Sequence, residues 1–118
     1  MKLIATNRRA HYDYFLEDKF EAGIVLVGTE VKSVRNNQVS LAESYVDIIN
    51  NEVYLREAHI AHYRQANQFN HEEVRDRKLL LNKREISKLA NAVSQAGYTI
   101  VPTKIYLRKG LVKLEIAL

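Results

Sequence analysis

The sequence predicts a mainly β fold: short antiparallel strands that close, or nearly close, into a barrel, accompanied by about three short helices. Three features point there. Apolar and polar residues alternate at period two around residues 14–26, 45–60 and 105–118, as strands with one face in a core require. One segment, 82–97, has the apolar spacing of an amphipathic helix instead. Many short strands separated by turn residues lose their exposed edges most completely by closing on themselves. The 118 residues fit one domain, read as 10–118 behind a basic N-terminal arm of residues 1–9.

Residues 1–9 show no apolar periodicity. From Tyr14 the alternation begins: Tyr14, Leu16, Phe20, Ala22, Ile24 and Leu26 share one parity, and Glu17, Lys19 and Glu21 take the other. Asp18 interrupts it as a turn would, and Gly23 suits a bulge or bend. Thr29 can cap a short helix through Arg35, with Asn36-Asn37 ending it in the left-handed region. Ser40 and Glu43 have capping-box spacing for another helical turn. Tyr45–Ile49 and Val53–Ile60 read as strands joined at Asn50-Asn51. Residues 64–77 form a polar loop, of the length that is usually functional or mobile, and Leu79–Leu81 a short strand. Asn82 and Glu85 then form a capping box ahead of the stripe Ile86, Leu89, Ala90 and Val93, and Gly97 stops that helix. Ile105 and Leu107, then Val112, Leu114, Ile116 and Leu118, give two last strands turning at 108–111.

Composition narrows function. There is no cysteine, which removes disulfides, thiolate metal sites and a cysteine nucleophile, and fits a reducing compartment. No signal-peptide pattern or membrane-length apolar run is present, so a cytoplasmic location is expected. His59 and His62 point to opposite faces of a strand and cannot share a metal; His11 and His71 sit in polar segments. No phosphate-binding glycine loop, HExxH or GxSxG element occurs, and the adjacent Glu72-Glu73 lack an apolar pocket. No catalytic or metal residues are therefore expected, and the chain reads as a non-enzyme.

The net charge of +4 is segregated: residues 13–60 carry four basic and nine acidic side chains, residues 61–118 eleven and five. One cationic surface facing a polyanion produces such a distribution, and an ordinary solvated surface accommodates it equally. The densest stretch is 75–88, with Arg75, Arg77, Lys78, Lys83, Arg84 and Lys88 against Asp76 and Glu85. The helix start at Asn82 adds free backbone N–H groups. Glu21 and Lys113 have outward parity on their strands, although a solvated strand face accounts for both by pattern alone. If Leu79 and Leu81 face the core, Leu80 is presented outward, where a base or ribose, or a covering helix or loop, would meet it.

Several strings together resemble the small protein B (SsrA-binding protein, SmpB) family: Asn7-Arg8-Arg9-Ala10, Tyr14-Phe15, Phe20-Glu21-Ala22-Gly23, Gly28-Thr29-Glu30-Val31-Lys32-Ser33, Ser44-Tyr45, and Arg77 through Glu85. They run collinearly from about residue 7 to the C-terminus. The resemblance implies an oligonucleotide-binding-like antiparallel β-barrel with three helices. It implies binding of transfer-messenger RNA at the elbow of its tRNA-like domain, and rescue of stalled ribosomes by trans-translation. The RNA-binding residues it implies are Glu21, Leu80, Asn82 and Lys113, beside which Gly23, Lys78, Lys83 and Arg84 are candidates. Transfer-messenger RNA and the stalled ribosome are the expected partners of a monomer that needs no cofactor, small-molecule substrate or membrane. A protein-docking module with incidental RNA contact is the competing reading.

The chain departs from the family pattern at His11-Tyr12, where many relatives have Arg-His, and at Asn36-Asn37 and Asn50-Asn51, where relatives often place glycine. Relatives also continue into a basic tail that supports peptide tagging, whereas this sequence stops at Leu118 in an apolar strand pattern. The expectation is that these residues bind the RNA without supporting tagging.

Overall fold

The computed structural model of the chain describes residues 1–13 and 16–118, with the side chains of all these except 12, 13 and 67–69. The expected contributions of Tyr14 and Phe15 lie outside the described residues. In chain order the elements are β1 (Lys2–Thr6), α1 (Arg8–Asp13), β2 (Lys19–Ile24), α2 (Gly28–Arg35), β3 (Val39–Ser40), β4 (Tyr45–Ile49), β5 (Glu52–Arg56) and β6 (His59–Ile60), followed after a 3-10 turn (Arg64–Phe69) by β7 (Arg77–Leu80), α3 (Lys83–Ala96), β8 (Val101–Arg108) and β9 (Leu111–Ala117).

The fold is mainly β with three α-helices. Seven strands form one antiparallel sheet in the order β1-β8-β9-β2-β7-β5-β4, while β3 and β6 pair with each other. This pairing is that of an open sheet, with β1 and β4 at its edges. Glu57 takes a left-handed φ of 63°, so the single strand expected over Val53–Ile60 breaks into β5 and β6, and β6 leaves the large sheet to pair with β3.

Alternation builds the core as expected. Ala22 of β2, Val53 and Leu55 of β5, Leu79 of β7, Ile105 of β8 and Leu114 and Ile116 of β9 all bury on one side, with Val34 of α2 and Leu89 of α3. Two-residue turns set the registers. Asn50 and Asn51 both have positive φ, as do Lys109 and Gly110, the geometry whose twist matches antiparallel strands. Asparagine thus does the work expected of glycine at the first hairpin, and Asn37 does so after α2.

Three local expectations are revised. Residues 2–6, read as part of a free basic arm, form β1 against β8, with Leu3 opposite Tyr106. Asn7 is buried: its backbone N–H donates to Thr103 O, its side-chain amide donates to Pro102 O, and its Oδ1 accepts the Ala10 N–H, so one residue docks the N-terminus and caps α1. α2 starts two residues earlier than expected, with Val27 rather than Thr29 as cap, because Glu30 Oε1 accepts the Val27 N–H. Ser40 and Glu43 do not start a helix. Ser40 lies in β3, and its Oγ accepts the Ala42 N–H in a tight turn.

α3 matches its expected caps: Asn82 and Glu85 exchange bonds at the N-terminus, and Gly97 ends it at φ 72°. Its inner stripe is narrower than expected. Leu89 is buried and Ile86 and Ala92 are partly so, but Val93 stays exposed.

Inside the fold Glu30 holds two arginines. It accepts from Arg77 Nε at 2.7 Å and from Arg75 Nε at 3.0 Å. Arg77 is 0% exposed and also donates to the carbonyls of Ala58, Arg75, Glu72 and Glu73. This cluster ties α2 to the chain entering β7.

Candidate nucleic-acid interface

Pairing register decides which outward side chains are neighbours. Gly23 of β2 lies opposite Leu80 of β7 on one side and opposite Lys113 of β9 on the other. Lys113, Gly23 and Leu80 therefore form one row across three adjacent strands, pointing away from the core. Lys113 pairs in turn with Tyr106 of β8, which extends the row. Glu21 has the same parity two residues along β2.

Leu80 is the ridge of this surface. It is 54% exposed, so no helix or loop covers it, and it leans over Gly23. A β-carbon added at Gly23 would lie 3.3 Å from the Leu80 β-carbon. Gly23 is neither a bulge nor a positive-φ position. It leaves the space that Leu80 fills. On one side of Leu80, a largely apolar groove of about 300 Å³ runs between Gly23, Leu26, Leu111 and Lys113. On the other, a hollow of about 510 Å³ is bordered by Lys78, Glu52, Lys83 and Ser87.

The cations do not all reach the surface that the sequence suggested. Within the dense 75–88 stretch, Arg75 and Arg77 are spent on Glu30, Lys78 is 3.1 Å from Glu52, and Lys88 is 3.3 Å from Asp18. Lys83 and Arg84 remain, exposed in the first turn of α3. Among the described residues no carboxylate is within ion-pair distance of Lys83, Arg84 or Lys113. Of these, Lys83 and Lys113 line the hollows that flank Leu80.

Asn82 has a structural task at the same place. Its Oδ1 accepts the Glu85 N–H at 2.8 Å, and its own N–H donates to Glu85 Oε1. The cap fixes where α3 begins relative to Leu80. Glu21 is also engaged: its Oε2 accepts the Tyr106 hydroxyl and lies 3.1 Å from Arg108. Burial, and then the bond to Glu21, push the Tyr106 hydroxyl well above the usual tyrosine range. It is a proton donor at all working pH values.

Tyr106, Arg108 and Leu111 were missed by sequence reasoning. The signal was there: a two-residue turn at Lys109-Gly110 places Tyr106 opposite Lys113 and Arg108 opposite Leu111. His71, read as a polar-loop residue, is buried between Thr29 Oγ1 and Ile60 O.

The SmpB protein family model matches residues 4–118. Among curated relatives, the SsrA-binding protein of Desulfitobacterium hafniense (strain DSM 10664 / DCB-2) is 54% identical over 116 residues, covering 98% of this chain and 74% of its own. That of Caldanaerobacter subterraneus subsp. tengcongensis is 55% identical over 117 residues, covering 99% and 74%. The structure is similar to a solved chain from work described as "tmRNA-SmpB: a journey to the center of the bacterial ribosome", with a TM-score of 0.78, 42% identity, and coverage of 95% of this chain and 79% of that one.

Proposed function

The chain belongs to the SmpB protein family, and from that premise we propose that it binds transfer-messenger RNA at its tRNA-like domain and helps deliver it to stalled ribosomes in trans-translation. The observation that carries the site is the outward row of Lys113, Gly23 and Leu80 with the uncovered start of α3 beside it.

Each part has a physical role. Lys113, Lys83 and Arg84 are free to neutralise phosphates, and the N-terminal turn of α3 adds its positive dipole end. Lys78 can join them by leaving Glu52, an exposed pair of little worth. Leu80 packs on an unstacked base or ribose, the kind of contact that folded RNA loops provide. Glu21 accepts from a base amino group or a 2′-hydroxyl, while Asn82 sets the position of the helix start.

We read the large sheet, together with β3 and β6, as an oligonucleotide-binding-like barrel. We take residues 10–118, with β1 completing the sheet, as one RNA-binding unit. It acts as a binding protein rather than an enzyme, as a monomer, in the cytoplasm. Among the described residues no helix is long and apolar enough to cross a membrane.

Competition binding tests the proposal. RNA carrying the tRNA-like domain should displace labelled transfer-messenger RNA at concentrations where an unrelated hairpin of equal length does not. Equal displacement by both would favour a docking module with incidental RNA contact.

A further inference from the structure

We infer that Tyr106 and Arg108 are positioning residues for Glu21: they hold its carboxylate in one orientation on the RNA-facing side of the sheet and compensate its charge, so that an acid can stand in a phosphate-binding surface. The inference rests on the RNA-binding reading above.

An acid in this row poses a physical problem. A bare carboxylate repels the RNA backbone, and Glu21 also lies directly opposite Glu115 on β9. Like charges facing each other across a ladder destabilise it. The structure separates the two acids by giving each its own donors. Glu115 accepts from Thr103 Oγ1 and lies 3.9 Å from Lys104. Glu21 accepts from the Tyr106 hydroxyl and forms an ion pair with Arg108 at 3.1 Å.

The two partners of Glu21 differ in kind. Tyr106 is 4% exposed and two strands away, its ring reaching over β9, so packing fixes where its hydroxyl can be. Its raised pKa, set by burial and by Glu21, keeps the proton on it. Arg108 is at the exposed end of β8 and supplies the charge. Both reach the same oxygen, Oε2. Oε1 is then left to accept from RNA, in an orientation that is set before binding and costs no side-chain ordering when RNA arrives.

The test is a binding cycle on the full chain, with RNA of the tRNA-like domain as ligand, an unrelated hairpin as control, and a melting curve for each variant. Y106F and R108Q should each weaken binding about tenfold, the worth of a hydrogen bond to a charged group. R108K should retain most of the affinity. In an E21Q background neither Y106F nor R108Q should weaken binding further, because the carboxylate they serve is gone. Wild-type affinity in both single variants, or losses that add fully to that of E21Q, would overturn the inference while leaving the RNA-binding reading intact. Should Y106F melt early, the exposed R108Q–E21Q pair decides alone. A wild-type chain that does not distinguish the two RNAs overturns the RNA-binding reading, and the inference with it.

Discussion

Glu30 supports the interface without touching it, and replacing it by alanine tests how. The carboxylate is 0% exposed and accepts from the Val27 N–H, Arg75 and Arg77. In Glu30→Ala the Arg77 guanidinium, also 0% exposed, keeps its carbonyl acceptors but loses its counter-charge. An uncompensated buried charge of this kind costs about 3–5 kcal/mol. That is a large share of the ~5–15 kcal/mol available to such a fold. At roughly 3–5 °C per kcal/mol, the melting midpoint should fall by about 10–20 °C.

The pH dependence follows from the same contacts. Burial alone would raise the Glu30 carboxyl, but the bonds from Arg75, Val27 and Arg77 outweigh it and hold the group below the usual carboxylate range. A depressed folded-state pKa stabilises the fold at neutral pH, and that contribution disappears as pH falls through the folded value. The wild-type chain should therefore lose stability in acid more steeply than Glu30→Ala. Urea and thermal unfolding followed by circular dichroism over an acid-to-neutral series measures both effects. Replacing Glu30 and Arg77 together by methionine should recover much of the loss, since no charge is then left buried. A drop below about 1 kcal/mol, the scale of one ordinary hydrogen bond, or a double variant no more stable than the single one, would refute this account of the cluster.

Other expectations concern the interface itself. Lys113→Ala should weaken RNA binding and make the slope of log affinity against log salt shallower by about 0.7–0.9, as for one lost phosphate contact; Leu80→Ala should weaken binding with the slope unchanged. Indistinguishable slopes in the two variants would rule out the division of labour between charge and packing. Gly23→Ala should leave the melting temperature the same or slightly higher, because a strand glycine gains little from its freedom here, yet reduce affinity by pushing Leu80 aside; unchanged affinity would show that the position of Leu80 does not matter. Asn82→Ala should cost about 1 kcal/mol of stability through its lost cap. Loss of affinity alone, with normal melting, would instead make Asn82 a direct contact.

Much of the strand architecture was legible because its determinants are local. Period-two alternation in β2, β4, β5 and β9 assigns faces within a few residues, and Asn50-Asn51 and Lys109-Gly110 fix two hairpin registers through backbone conformation. The capping box at Asn82 and the stop at Gly97 bracket α3 for the same reason. Where the signal was ambiguous, reading failed at the level of partners. Ser40 can cap a helix or close a turn, and only its neighbours decide. Lys2–Thr6 has no amphipathic pattern of its own and is a strand because β8 offers an edge.

By itself, then, the sequence determined the alternating faces, the hairpin turns, the long helix and the outward parity of Glu21 and Lys113, while the structure decided that Leu80 is uncovered. Tertiary structure alone decided that Leu80 and Lys113 flank the same glycine, since pairing among distant strands is set by the whole sheet. It also decided which cations are free. Lys83 and Arg84 reach solvent, whereas Arg75 and Arg77, in the same basic run, turn inward to Glu30. Charge density along a chain counts side chains, but the field at a surface depends on the partners that folding assigns to them.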